Sequence, residues 1–218
     1  MPPNRKGTGH VIGTGITIDD DVLDDVFKAF GPQHQQEANA AIARAVDRTA
    51  QQLQTEIVRD VGRELNLIQR AIKRSVRRKR ATYSNRQARV IVFDDPRRLH
   101  EFMTPSQLAT QQRRQGKQAA RSRKTGSRTP LRAKVRKTAG REAFPDAFVT
   151  DRFNKGRPRV FERTTRARTP IKPVFGPSVY DIFRESRVLE RTEADIEARL
   201  EREILHETTF RLNRIANA

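Results

Sequence analysis

Hydrophobic rhythm along this chain begins at Ile18. From Ile18 to Phe30 the apolar residues Val22, Leu23, Val26, Phe27 and Phe30 recur at i, i+1, i+4, i+5 and i+8, one face of a short helix. Thr17 stands at the N-cap position, and Asp19, Asp20 and Asp21 fill the first turn, where the helix dipole favours anions. Gly31-Pro32 stops the helix. A longer pattern starts near Gln35. Its apolar stripe runs Ile42, Val46, Ala50, Leu53, Ile57, Val61, Leu65, Ile68, Ile72 and Val76, with steps of three or four throughout. One narrow face is therefore buried over many turns. Asn66 and Gln69 form a capping-box-like pair, at which a helix from Gln35 to Glu64 ends and a second, Leu67 to Arg80, begins. The first would span about 45 Å. That length predicts packing of much of its stripe on other subunits or on the C-terminal helices.

Period-two patterns follow. Gln87 to Phe93 is β-branched and alternating, a strand. Leu131 to Lys137 sets Leu131, Ala133 and Val135 against Arg132, Lys134 and Arg136, a half-buried strand with a cationic outer face. Ala143 to Thr150 and Pro158 to Arg163 read as two more strands, with Asn154-Lys155-Gly156 as the turn of a hairpin. Thr104 to Thr129 is rich in Gln, Arg, Ser and Thr with almost no large apolar residue, which predicts a mobile basic loop. Pro170 to Pro177 reads as a rigid extended connector. Ser178 caps a helix with Asp181 three residues on, and a last helix begins near Val188 with an acidic outer face (Glu190, Glu193, Asp195, Glu197, Glu201). The expected class is α+β: a long N-terminal helix and C-terminal helices on a small, mostly antiparallel sheet. Residues 1–17 read as a flexible tail and 18–218 as one domain, helical over 18–80, sheet over 87–164 and helical again over 178–212.

Composition changes this picture in two ways. Only 35% of the 218 residues are hydrophobic and 33% are charged, lean for one compact core. The net charge of +19 is also unevenly spread. Residues 1–64 carry −3, residues 65–175 carry +24 and residues 176–218 carry −2. Leu65 to Phe93 has nine basic residues and Phe102 to Arg141 has twelve, with no carboxylate in either stretch. Such a field attracts polyanions and weakens with salt. The candidate polyanion-facing residues are Arg74, Arg77, Arg78, Lys79, Arg80, Arg113, Arg114, Lys117, Arg121, Arg123, Lys124, Arg132, Lys134 and Arg136. Three readings stay open: DNA-facing electrostatics, salt bridges to acidic neighbours including the chain's own terminal helix, and plain solvation. The aromatics are 11 Phe and 2 Tyr with no Trp, few of them among the arginines. Any DNA contact is therefore expected at the backbone, not the bases.

Catalytic chemistry finds no foothold. With no cysteine there is no disulfide, thiolate nucleophile or Cys-based metal site. His10, His34, His100 and His206 are scattered and lack metal-ligand spacing. Asp94-Asp95 precedes Pro96 and reads as a turn. The Gly7 to Gly15 stretch has no preceding strand and no following Lys-Ser/Thr, so it is not a phosphate loop. No enzyme activity, cofactor or metal is expected. No apolar run approaches the roughly 18 to 20 residues of a membrane helix. Met1 to Gly15 lacks the apolar core of a signal peptide, so synthesis in the cytoplasm is expected.

The order of segments resembles the minor tail protein Z family of tailed bacteriophages. An Ala/Arg-rich helix (AIARAVDRTAQQLQTEIVRDV) leads to a basic segment (LNLIQRAIKRSVRRKRAT), and a strand follows (NRQARVIV). A cationic strand (AKVRKT) precedes GREAFPDAFV and RVFERT, and Phe175-Gly176-Pro177-Ser178-Val179 stands before the acidic terminal helix. The similarity covers about Ala38 to Leu212. Loop 104–129 is longer than in usual members, and the first 30 residues match no family motif. The resemblance implies a structural virion protein that completes the tail at the head–tail junction, working as a ring, six-fold by family analogy. Implied partners are further copies of itself, tail terminator and tail tube proteins, head–tail connector proteins and genomic DNA in the channel. The alternative is a free, non-sequence-specific DNA- or RNA-binding basic protein.

Overall fold

The computed structural model describes residues 11–125, 130–152, 156–165, 169–186 and 188–217, with the side chains of 11–14, 117–125 and 188–194 outside that description. The architecture is α+β, with six α-helices and small antiparallel sheets. Packing divides the chain into two compact units. The first comprises residues up to Val61, Gln69–Asp94 and Phe183 onward; the second comprises Gly62–Ile68 and Asp95–Ile182.

In the first unit, strand β1 (Val11–Ile16), helix α1 (Asp20–Phe30), helix α2 (Gln35–Glu64), helix α3 (Gln69–Ser75), strand β2 (Val76–Lys79) and strand β3 (Ala88–Phe93) follow in order. The sheet runs β1-β3-β2, antiparallel throughout. Its inner face is Ile16, Val76, Ala88, Val90 and Val92, all buried. The α2 stripe Ile42, Val46, Ala50, Leu53, Ile57 and Val61 is buried within this chain, which agrees with the intrachain alternative of the expectation. Ala38, Ala41 and Ala45 join it with almost no exposure. Alanine lets backbones approach closely, so this core is fuller than a count of large hydrophobics suggests.

Two expectations are corrected here. The segment Val76–Lys79, assigned to a helix, is a strand. Val76 continues the helical stripe from Ile72, yet β3 offers a complete ladder from Val76↔Val92 to Lys79↔Arg89. Tertiary pairing overrides the local period. The expected flexible tail also contains β1, paired from Val11↔Phe93 to Ile16↔Ala88. Two glycines (Gly13, Gly15) had hidden the alternation; residues 1–10 lie outside the described part.

The second unit holds strand β4 (Pro96–Arg98), helix α4 (Pro105–Thr125) and strands β5 (Leu131–Ala133), β6 (Glu142–Phe144), β7 (Ala147–Thr150), β8 (Arg159–Arg163), β9 (Ile171–Pro173) and β10 (Phe175–Ser178). These make the ladders β5-β6, β7-β8-β9 and β10-β4. The β7-β8 hairpin is present, with residues 153–155 of its turn outside the described part. Of the expected strand 131–137 only Leu131–Ala133 is a strand, with an isolated bridge from Leu65 to Arg136. The alternation itself holds, with Leu131, Ala133 and Val135 buried, Arg132 and Lys134 exposed and Arg136 half-buried. The break after α2 docks on this segment. Asn66 donates through its backbone N–H to the Val135 carbonyl (2.9 Å) and through its amide to the carbonyls of Lys134 (2.9 Å) and Phe102 (3.0 Å). The helix break is thus held by a neighbouring segment and not by the expected Asn66/Gln69 pair.

The predicted mobile loop is the largest error. Residues 105–125 form α4, one continuous helix. Thr104 and Gln107 make the reciprocal cap: Gln107 N–H donates to Thr104 Oγ1 (3.2 Å) and Thr104 N–H to Gln107 Oε1 (2.9 Å), with Pro105 at the first helical position. Gln, Ala, Arg and Lys are good helix formers. The inward face is Leu108, Gln111, Gln112 and Gln115, a helical stripe built largely of glutamine, which a hydrophobicity pattern passes over. Gln115 accepts from Val149 N–H (2.9 Å) and donates to the Ala147 carbonyl (3.2 Å), covering the outer edge of β7.

In the C-terminal part, helix α5 (Val179–Glu185) starts with the expected cap. Ser178 N–H donates to Asp181 Oδ2 (2.9 Å) and Asp181 N–H donates to Ser178 Oγ (3.0 Å). Helix α6 (Val188–Ala216) belongs to the first unit, where Ile196, Leu200 and Ile204 are buried.

Candidate functional site

Alternation decides which of the basic residues are available. On β2 and β3 the outward positions are Arg77, Lys79, Arg89, Ile91 and Phe93, and the inward ones are Val76, Arg78, Val90 and Val92. Arg78 therefore turns inward and is corrected as a candidate. It donates to the Asp47 carbonyl (2.7 Å) and pairs with the Asp47 carboxylate (3.1 Å) on α2, a structural clamp. Arg77 lies over the Phe93 ring at 5.1 Å, which fixes its guanidinium on the outer surface. Lys79 stands directly opposite Arg89. Like charges in that relation repel, so this face gains from an anion laid across it. Arg74 and Arg80 are exposed on either side of β2 in the chain.

The second unit carries its own cations. Arg132 and Lys134 point outward from the strand segment, and Arg113 and Arg114 are exposed on α4. Arg136 is half-buried and engaged with the rest of the protein. Lys117, Arg121, Arg123 and Lys124 occupy the same helix, with their side chains outside the described part.

The motif Phe175 to Val179 proves to be a joint. Phe175 pairs with Arg98 and Ser178 with Pro96, with a register shift between the two pairs. The expected connector is thus a strand with an irregularity, where Pro177 is tolerated. Gly176 has ordinary backbone angles; its requirement is space. A Cβ there would lie 2.7 Å from Cε2 of the buried Phe102 ring. Ser178 and Val179 are fully buried, and only Phe175 reaches solvent to a large extent (48%).

Sequence reasoning missed a charged seam along α2 and α6. Arg211 pairs with Glu37 and lies 3.7 Å from Glu207; Arg48 pairs with Glu207 (2.8 Å) and Glu203 (3.5 Å). Gln52 donates to Glu203 (2.8 Å), and Arg199 pairs with Glu56 (2.5 Å) and Asp195 (3.3 Å). Partner numbers fall on α6 as they rise on α2, so the helices run antiparallel. The hydrogen bond from Arg199 to Glu56 raises the arginine's already high pKa further. The acids of α6 at Glu203 and Glu207 thus serve the protein's own fold. A cavity of about 310 Å³ beside this seam is lined by Arg48, Gln52, Arg199, Arg202, Glu203 and His206.

His100 is a pH-sensitive element of the fold. Burial lowers its pKa below the usual value of about 6.5, with Arg159 and Arg98 acting in the same direction and Glu101 against it. The unfolded chain therefore binds this proton before the folded one does. His100 contributes stability in full above about pH 6.5, and that contribution is lost as pH falls through the lower folded value. Urea midpoints measured from pH 7.5 to 5 should decline for the wild type and decline less for His100→Gln. Parallel profiles would remove His100 as the cause.

Among the described residues no group of three His, Asp or Glu side chains is placed to hold a metal, and no helix is long and apolar enough to cross a membrane. Fold and surface together describe an α+β protein with outward cationic faces. Residues 33–217 match the family model for prophage minor tail protein Z, so the chain belongs to that family and is a phage tail structural protein of the virion. No curated protein and no solved structure matches it.

Proposed function

We propose that this protein completes the phage tail at the head–tail junction, as a ring of identical subunits between tail terminator or tail tube proteins and the head–tail connector. The family match over residues 33–217 carries this reading. The outward β2–β3 face supports a second element of it. Arg77, Lys79 and Arg89 form a cationic surface without neighbouring carboxylates in sequence, suited to the phosphate backbone of DNA in the channel or to an acidic neighbour. The channel, the ring and these partners are parts of the proposal.

A phage lacking this gene should accumulate separate heads and tails, and the protein should be found in intact particles. Normal head–tail joining without it would end the junction reading. Arg77→Gln/Lys79→Gln/Arg89→Gln should fold normally, since all three side chains point outward. Its affinity for duplex DNA should depend less on salt, with the slope of log K against log salt reduced by about 3 for three lost phosphate contacts. An unchanged slope would move this face from DNA to a protein neighbour. A monomer that binds nucleic acid steeply with salt yet never enters particles would favour the free nucleic-acid-binding protein.

A further inference from the structure

We propose that Tyr83, at the tip of the hairpin formed by β2 and β3, contacts the backbone of duplex DNA. Its ring packs on a deoxyribose and its phenol donates a hydrogen bond to a phosphate oxygen. The inference rests on the reading that the outward β2–β3 face meets DNA, and it adds an uncharged contact to that cationic face.

Residues 80–87 join the two strands. Thr82, Tyr83, Ser84 and Asn85 are all exposed, Tyr83 by 66%. The tip is nonetheless closed by its own hydrogen bonds. Thr82 N–H donates to the Asn85 carbonyl (2.7 Å), and Asn85 N–H donates to the carbonyl and to Oγ1 of Thr82 (3.1 Å each). Gln87 N–H donates to Asn85 Oδ1 (3.2 Å), and the hydroxyls of Thr82 and Ser84 share a hydrogen bond (3.3 Å). Tyr83 and Ser84 are therefore the corner residues of a tight turn. Behind it, Arg86 lies over the Phe27 ring of α1 at 5.1 Å, which ties the base of the tip to that helix. A tyrosine carried in this way is preorganised, because binding has little to order beyond the side chain itself.

The surroundings select the ligand. Arg80 is exposed just before the turn, and Arg77, Lys79 and Arg89 stand on the outward face of the same hairpin. Residues 65–93 contain no carboxylate. The ring is thus set among cations within its own hairpin, which suits a polyanion that also offers apolar surface. A DNA backbone has both, with phosphates for the cations and sugars for the ring. Tyrosine matches that mixture through its apolar ring and its O–H, a regular donor to phosphate oxygens. The exposed aspartates of α1 (Asp20, Asp21, Asp24, Asp25) repel the same ligand, which favours an approach from the cationic side of the hairpin.

The chain has two tyrosines, so full-length protein made with fluorotyrosine gives one fluorine NMR resonance from Tyr83 and one from Tyr180, assigned with Tyr180→Phe. Saturating duplex DNA at low salt should move or broaden the Tyr83 resonance and leave that of Tyr180 in place. Tyr83→Ala should fold normally, because the side chain is exposed, and should bind the duplex about 5-fold more weakly, the worth of one hydrogen bond. No charge is lost, so its slope of log K against log salt should equal that of the wild type, unlike Arg77→Gln/Lys79→Gln/Arg89→Gln. An unmoved Tyr83 resonance in DNA-saturated protein overturns the inference and leaves the cationic face as the DNA site. Wild-type affinity in Tyr83→Ala overturns it in the same way. A wild type that binds no duplex at low salt removes the DNA reading of the face together with the inference. A Tyr83 resonance that moves only when copies of the protein associate without DNA makes the tip a protein anchor, and that too overturns the DNA contact.

Discussion

Replacing Arg211 by Met is expected to lower unfolding free energy by about 3 kcal/mol, the low end for breaking a buried ion pair. The side chain of Arg211 is only 7% exposed and that of Glu207 is 2% exposed. Removing the guanidinium leaves Glu207 with Arg48 as its cationic partner among the described residues, in a place water scarcely reaches. Glu37 is one-third exposed and can be solvated in part, which keeps the loss from being larger. The double variant Arg211→Met/Glu207→Leu should recover much of the loss, because an apolar pair of similar volume removes the stranded charge. Arg214→Met, on an exposed position of the same helix, is the control and should stay within about 0.5 kcal/mol of wild type. Denaturant midpoints with constant m-values provide the measurement. If Arg211→Met behaves like Arg214→Met, the seam is decoration on an apolar interface.

The second large effect concerns the motif glycine. Gly176→Ala should cost about 1 to 3 kcal/mol, the usual range for forcing a methyl group into a packed core. The new Cβ would sit 2.7 Å from one ring carbon of Phe102 and 3.1 Å from the next, and the ring is buried and cannot swing away freely. Phe102→Leu should be harmful alone but should relieve the clash, so the double variant should be less destabilised than the two single losses added together. A strictly additive pair would show that the backbone, not the ring, sets the requirement at 176. The motif is thereby explained as architecture: a strand that must lie against Phe102, followed at once by a reciprocal helix cap at Ser178 and Asp181.

Much of the candidate surface was legible in advance, and its sorting was not. Arg77, Arg78 and Lys79 are equivalent as a basic run. On a strand they separate, because period two sends Arg78 inward to Asp47 and leaves Arg77 and Lys79 outside. Read as a helix end, the same residues gave no reason to expect that division. Arg89 escaped notice because its meaning comes from standing opposite Lys79, ten residues away in sequence and adjacent only through the ladder. The α2–α6 seam was hidden for a related reason. Its partners are far apart in sequence, and only antiparallel packing turns Glu203 and Glu207 towards Arg48.

The sequence by itself determined the elements whose information is local. The bounds of α2 follow from a long regular stripe, β3 from strict alternation, and the start of α5 from a capping pair within four residues. The cap at Thr104 and Gln107 is equally local, yet α4 reads from the sequence as a loop, because the glutamine face that follows the cap carries no hydrophobic signal. Tertiary structure alone decided the rest. It made a strand of Val76–Lys79 and of the glycine-bearing Val11–Ile16, because β3 offered hydrogen-bonding partners on both edges. It buried the α2 stripe within the chain, because alanines allow close approach that composition does not reveal. It also separated structural cations from outward ones, since a charge has no role until its neighbours across space are known.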